Sequence, residues 1–417
     1  MSFVAVVISW VALGAPPRVL ALDEALELAV SSHPELARAG ARVSASEARA
    51  DQARAQRWPQ LSATMGYERS TSNGLPGGAS TFDSSNHFSL GLAARQLLYD
   101  FGLSQGRIDS ANATAESAKA DRETARLELL LDVRTAYFSA RAAKALVEVA
   151  ERTLTHEDLR VAQVEAFVQI GTRPEIDLVE ARSTRADLFV DLVRKRGALE
   201  GALARLRFAT GAELGAIDVS AEPFPEVTEE SGTAEALSAV AIEARPELDV
   251  LGRQREALLG SLRSARSGYV PSLSLSARFS ETGAALDELA FNLGGGVELN
   301  WSLFEGGATT AEQRAIENEL SGVAAELARL RQRIRVEVEE ALVAVRSAKA
   351  ALLAHADARR LAEDRLRLAE GRYRAGAGSS LELGDASVRL ATSLADGVRA
   401  ENDLAIARAR LLRALGR

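Results

Sequence analysis

Trp58-Pro59-Gln60-Leu61-Ser62-Ala63-Thr64-Met65-Gly66-Tyr67-Glu68 sets Leu61, Ala63, Met65 and Tyr67 against Ser62, Thr64, Gly66 and Glu68. Alternation with a period of two is the pattern of a strand with one apolar and one polar face. It returns three times. Phe88, Leu90, Leu92 and Ala94 alternate with Ser89, Gly91, Ala93 and Arg95, and Leu273, Leu275, Ala277 and Phe279 with Ser272, Ser274, Ser276 and Arg278. Phe291, Leu293, Val297, Leu299 and Trp301 face one way, with Asn292, Gly294, Glu298 and Asn300 facing the other. The pattern predicts two hairpins, with strands over 59–70 and 86–99 and over 271–281 and 290–304. Strands of about 10 to 12 residues cross a bilayer at the tilt barrels adopt. Small polar residues, Gly and charges of both signs such as Glu68 and Arg95 suit a wet lumen. Trp58, Tyr99, Trp301 and Phe304 fall where strands give way to helices, the level of an interfacial aromatic girdle.

Working outward, the chain is written twice. Pro34-Glu35-Leu36 returns as Pro246-Glu247-Leu248 and Trp58-Pro59-Gln60-Leu61-Ser62 as Val270-Pro271-Ser272-Leu273-Ser274, both 212 residues later. Leu98-Tyr99-Asp100-Phe101-Gly102 then maps to Leu303-Phe304-Glu305-Gly306-Gly307, and Gly171 to Gly376, at an offset of 205. The missing residues fall in the region of the turn-rich stretch Thr71 to Gly78, where a duplicated fold tolerates an indel. The first copy is assigned to 22–210, the second to 233–417, and the segment 211–232, with Pro223 and Pro225, to the linker between them.

Outside the hairpins the composition is helical: Ala, Leu, Arg and Glu dominate, and no proline follows Pro271. Long helices are predicted over 103–170 and 307–374, each roughly 100 Å at 1.5 Å per residue. Ile316, Leu320, Val323, Leu327, Leu330 and Ile334 step by four and three, a coiled-coil stripe that needs helical neighbours. Shorter helices are expected over Leu22 to Arg57, Arg173 to Thr210, Thr233 to Ser267 and Leu381 to Leu415. The fold class is therefore mainly α with a membrane β-barrel part. Four strands cannot close a barrel, and an open edge in lipid leaves backbone groups unpaired, so chains must associate. Two chains would give the eight strands of the smallest barrels and three would give twelve, the larger option leaving room for a channel.

Composition excludes other classes. No Cys is present, which removes disulfides, thiol catalysis and thiolate metal sites. A net charge of -8 argues against a nucleic-acid partner. His33, His87, His156 and His355 show no metal-ligand spacing, Asp100-Phe101-Gly102 lacks the motifs of a kinase, and Gly294-Gly295-Gly296 opens no helix that would cradle phosphate. No enzyme activity, cofactor or metal is expected. Phe3 to Gly14 is apolar and precedes Pro16-Pro17-Arg18-Val19-Leu20-Ala21, which reads as a signal peptide over 1–21.

The duplicated order of helix, hairpin, long helix, glycine turn and helix resembles the TolC-like outer-membrane efflux proteins over nearly all the chain after Ala21. So does the turn Gly171-Thr172-Arg173-Pro174-Glu175-Ile176-Asp177-Leu178-Val179-Glu180-Ala181, echoed by Tyr373-Arg374-Ala375-Gly376 and Leu381-Glu382-Leu383-Gly384-Asp385-Ala386. The resemblance implies a homotrimer whose twelve-stranded barrel in outer-membrane lipid continues into an α-helical tunnel through the periplasm. It implies as partners a periplasmic adaptor and, indirectly, an inner-membrane pump of the RND or ABC type, in efflux or type I secretion. It also implies that Gly171, Thr172, Arg173, Tyr373 and Gly376 lie in tip turns where the adaptor docks. A periplasmic coiled-coil scaffold or adaptor without a pore is the alternative, and it leaves the four strands unexplained.

Asp177 and Glu180, like Glu382 and Asp385, are spaced i and i+3, so each pair shares a helix face. Acids in a first turn also stabilise a helix N-terminus. Under threefold symmetry each becomes a ring of carboxylates that attracts cations, and the resemblance places an acidic ring at the periplasmic entrance.

Overall fold

The computed structural model describes residues 18–74, 81–213 and 215–417. Two copies of one element order appear. The first holds helices α1 (Leu22–Ser32) and α2 (Pro34–Ala55), strands β2 (Gln60–Gly74) and β3 (Thr81–Tyr99), and helices α3 (Leu103–Gln169) and α4 (Glu175–Thr210). The second holds α5 (Ala234–Ala244), α6 (Pro246–Arg266), β5 (Ser272–Gly283), β6 (Ala290–Asn300), α7 (Ala308–Arg374) and α8 (Ser380–Ala414). Two short strands, β1 (Arg18–Leu20) and β4 (Ile217–Val219), stand outside this repeat.

The chain forms two compact units. One contains residues up to Arg38, Glu123–Arg245 and Arg331–Arg417; the other contains Ala39–Arg122 and Pro246–Leu330 and carries the hairpins. In the hairpin unit the strands form one antiparallel sheet in the order β2-β3-β5-β6. The registers Ala63↔Leu92, Leu92↔Phe279 and Phe279↔Leu293 carry one apolar face across all four strands. That face is open: Leu61 is 81%, Met65 86% and Leu293 78% exposed. The other face sets Thr64 against Gly91 and Ser280 against Asn292. Glu68 and Arg95 both lie on it but do not pair, since Glu68 opposes His87 and Arg95 opposes Gln60 and Ser276. The first hairpin is longer than the alternation indicates, because its polar continuation through Gly74 and from Thr81 still pairs in register. Part of the turn-rich stretch lies outside the described residues. Among those described, no helix is long and apolar enough to cross a membrane.

The acids at the strand exits start the long helices. The Asp100 carboxylate accepts from the backbone N–H of Gly102 at 3.3 Å and of Ser104 at 2.7 Å. In the second copy, Glu305 accepts from the Thr309 hydroxyl at 3.1 Å. The short helices depart from expectation in one respect. Leu22 to Arg57 and Thr233 to Ser267 do not run unbroken; each is split before the proline of the repeated Pro-Glu-Leu. His33 (ψ 129°) and Arg245 (ψ 118°) are extended, because a proline ring clashes with a helical residue before it. Pro34 and Pro246 then open the next helix, where a missing N–H costs nothing.

Residues 1–17 of the expected signal peptide lie outside the described residues, but 18–20 belong to the fold. β1 pairs in parallel with β4, which lies in the segment read as linker, from Arg18↔Ile217 to Leu20↔Val219. Leu20 is fully buried, and its carbonyl accepts from the buried Tyr137 hydroxyl at 3.1 Å. Cleavage after Ala21 would empty the Leu20 site and take away the carbonyl to which the Tyr137 hydroxyl donates, at about 2–4 kcal/mol together. The mature protein is therefore expected to retain Arg18–Ala21. Sequencing the N-terminus of the protein from membranes checks this, and a mature start at Leu22 would contradict it.

Candidate functional site

The turns α3–α4 and α7–α8 lie in the same unit and are built alike. Gly171 (φ 77°) and Gly376 (φ 76°) adopt the left-handed conformation that L side chains resist. The Gly171 N–H donates to the Val168 carbonyl and the Thr172 N–H to Phe167, each at 3.0 Å. Gly376 donates to Tyr373 at 3.1 Å and Ala377 to Arg372 at 2.9 Å. Both are Schellman caps, which satisfy the last carbonyls of a helix. Thr172 adds its hydroxyl to the Phe167 carbonyl at 2.9 Å. The helices that follow begin differently. Pro174 caps α4 without a side-chain bond, whereas the Ser379 hydroxyl accepts from the Glu382 N–H at 3.1 Å.

A core of Val164, Ala181, Ala369, Tyr373, Leu383 and Ala386 packs the two turns' helices together. Arg173 closes the contact: its guanidinium lies 4.3 Å from the centre of the Tyr373 ring and donates to the Tyr373 carbonyl at 2.8 Å. Burial pushes the Tyr373 phenol above its ordinary 10, Arg173 opposes that, and Asp177 adds to it. Tyr373 is only 3% exposed, so its ring fastens one turn to the other and offers no surface to an adaptor. Gly171, Thr172 and Gly376 are exposed and Arg173 half-buried.

The four acids are not equivalent. Asp385 is exposed, Glu382 is half-buried and lies 3.6 Å from the Arg372 guanidinium, and Asp177 and Glu180 are half-buried. Beneath them is a pair that sequence reasoning missed. Arg160 Nε donates to both Glu157 oxygens, at 2.9 and 3.0 Å, and Nη1 reaches the Ser380 hydroxyl at 3.5 Å. Both residues are buried. The i, i+3 spacing of Glu157 and Arg160 was the available signal, but surface pairs share it.

In the hairpin unit, Trp58, Tyr99, Trp301 and Phe304 sit at the same end of the sheet and are 72%, 57%, 53% and 89% exposed. Trp301 Nε1 donates to the Tyr269 carbonyl at 3.2 Å, and Tyr99 packs edge-on against Phe101. Exposed Tyr269 and Phe101 extend this band beyond the four aromatics read from the sequence.

The profile of the family described as Outer membrane efflux protein matches residues 25–212 and 237–417, one stretch in each copy. The chain belongs to the outer membrane efflux protein family. It is accordingly an outer-membrane protein of an efflux family, not an enzyme. Among relatives, it is 28% identical over 277 residues to the pyoverdine export outer membrane protein OpmQ of Pseudomonas aeruginosa. That match covers 65% of this chain and 57% of OpmQ. Among solved structures, CusC superposes with a TM-score of 0.82 at 20% identity, over 97% of this chain and 95% of that one. VceC of Vibrio cholerae gives 0.77 at 19% identity, over 95% and 96%. The fold is that of the TolC-like channels.

Proposed function

We propose that this protein is the outer-membrane exit duct of a tripartite efflux or type I secretion system, working as a homotrimer. The observation that carries the reading is the four-stranded sheet. Its edges β2 and β6 have no partner among the described residues, and its exposed apolar face has the chemistry of a lipid contact. Backbone groups at an open edge are too costly in hydrocarbon, so β6 of one chain pairs with β2 of the next until twelve strands close. The aromatic band then marks one membrane interface. Helices α3 and α7 continue out of the sheet as the wall of a periplasmic tunnel, and cargo passes through without chemistry. A periplasmic adaptor docks at the exposed tip turns, and a pump in the inner membrane, of the RND or ABC type, selects the cargo.

In this reading Glu382 and Asp385, with Asp177 and Glu180, ring the periplasmic entrance. Asp385, exposed and without an ion pair among the described residues, contributes most. Three copies of two carboxylates bind divalent cations and resist constriction by mutual repulsion. The test is single-channel recording in planar bilayers with divalent cation added on the periplasmic side. Discrete cation-preferring openings that the cation blocks are expected. In Glu382→Ala/Asp385→Ala the half-blocking concentration should rise by about tenfold, for the charge removed from a low-dielectric mouth, while trimers persist. Unchanged block would dismiss the acidic rings; no conductance from a folded trimer would leave the scaffold reading.

A further inference from the structure

The polar face of the sheet carries two guanidiniums side by side. Arg95 opposes Ser276, and Arg278 opposes Ala93, so the two arginines are diagonal neighbours across β3 and β5. Side chains so placed lie about 7–8 Å apart. Both are exposed. Their other cross-strand partners are Gln60 on β2 and Gly294 on β6. Every residue directly opposite either arginine is therefore neutral, and neither forms an ion pair among the described residues. The nearest carboxylate on this face along β6, Glu298, opposes Ser274, four residues along the strand from Gly294.

The glycines beside them belong to the same feature. Gly294 and Gly296 lie on the face of Arg278 and Ser276, and a Cβ at either position would meet nothing within 4 Å. Glycine weakens a strand, and one use of it is to leave room for a close approach. Here the room lies beside an unpaired cation. Like charges set diagonally repel, and a pair without a carboxylate has an obvious ligand of opposite charge.

We propose that Arg95 and Arg278 form an anion-binding belt inside the barrel, through which multivalent carboxylate or phosphate solutes are drawn outward. The proposal rests on the trimeric duct described above. Threefold symmetry gives six guanidiniums in a narrow wall, where a charged ring selects permeant ions far better than an isolated exposed charge. This belt is separate from the tip carboxylates, which belong to the other unit and attract cations.

The test uses the full-length trimer in planar bilayers, with inositol hexakisphosphate added on the extracellular side and myo-inositol as the uncharged control. Block by the polyanion alone is expected. Arg95→Gln/Arg278→Gln should raise the half-blocking concentration by about tenfold or more, and Arg95→Lys/Arg278→Lys should restore block, since the charge is what binds. Open channels that the polyanion does not block, or that it blocks equally in the Gln variant, overturn the belt and leave the duct intact. A folded trimer without conductance overturns both.

Discussion

Arg408→Met is expected to destabilise the folded protein by about 1.5–3 kcal/mol, the worth of the charge-assisted hydrogen bonds lost when buried Glu230 keeps Lys349 as its one cation. Arg408, on α8, and Glu230, in the segment between the two copies, are both buried. Arg408 Nε donates to Glu230 Oε1 at 2.7 Å, and Nη1 donates to the Phe224 carbonyl at 2.9 Å. Glu230 also accepts from the Val227 N–H at 3.0 Å and pairs with Lys349. The cluster thus ties the inter-copy segment to helices of the second copy. Burial alone would raise the Glu230 pKa. Lys349, the Val227 N–H and Arg408 outweigh it and hold the carboxyl below its ordinary 4.5. A depressed carboxyl contributes its stability fully above the unfolded value. That contribution is lost as pH falls through the lower folded value, so wild-type stability should drop in acid by more than that of Arg408→Met. Thermal melts of the detergent-extracted protein check both effects. Glu226→Gln is the control: Glu226 also approaches Arg408, at 3.4 Å, but its side chain is 81% exposed, and its loss should cost under about 1 kcal/mol. Arg408→Met/Glu230→Gln should recover part of the stability, because the buried carboxylate that lost one of its two cations is gone. A melt of Arg408→Met within error of wild type would show that the cluster adds nothing.

Nothing in the sequence announced that cluster. Arg408 and Glu230 are 178 positions apart, and their backbone partners, Phe224 and Val227, come from a segment without periodicity. The hairpins were legible because a period of two survives in the sequence whatever packs against it, and the long helices because their stripes and glycine caps are local. The breaks at His33 and Arg245 were missed because the helical composition on either side outweighed one proline, although a proline also biases the residue before it. Tyr373 was legible as a tip residue, but its burial was not. That depends on Arg173, 200 positions away, whose guanidinium covers the ring. Among the acids, spacing gave the shared face of Glu382 and Asp385 but could not tell the ion-paired one from the free one. The pairing of β1 was not legible for a different reason: Val19-Leu20-Ala21 looks the same whether a peptidase removes it or β4 pairs with it.

The second large effect is expected at a helix crossing in the hairpin unit, where α3 and α6 meet through glycine. A Cβ on Gly260 would lie 2.6 Å from the Ser110 backbone nitrogen and 2.8 Å from the Gly106 carbonyl oxygen. A Cβ on Gly106 would lie 2.6 Å from both the Gly260 carbonyl oxygen and the Ser264 nitrogen. These obstacles are backbone, so no rotamer change relieves them and the helices must separate. Separation would strain the neighbouring contacts, the Ser110–Ser261 hydroxyl bond of 3.1 Å and the Ser117 hydroxyl donating to the Val250 carbonyl at 3.4 Å. Overpacking typically costs 1–3 kcal/mol, and Gly260→Val, branched and aimed at main chain, is expected to reach about 3 kcal/mol or more. Gly252 in the same helix is the internal control, because a Cβ there meets nothing within 4 Å. Gly252→Ala should be neutral or stabilising by up to about 1 kcal/mol, since alanine is the better helix former. Thermal melts of the detergent-extracted protein would compare the three proteins. The crossing explains why helices of otherwise good propensity keep their poorest formers at these two positions. If Gly260→Val melts at the same temperature as wild type, the close approach of α3 and α6 does not hold this unit together.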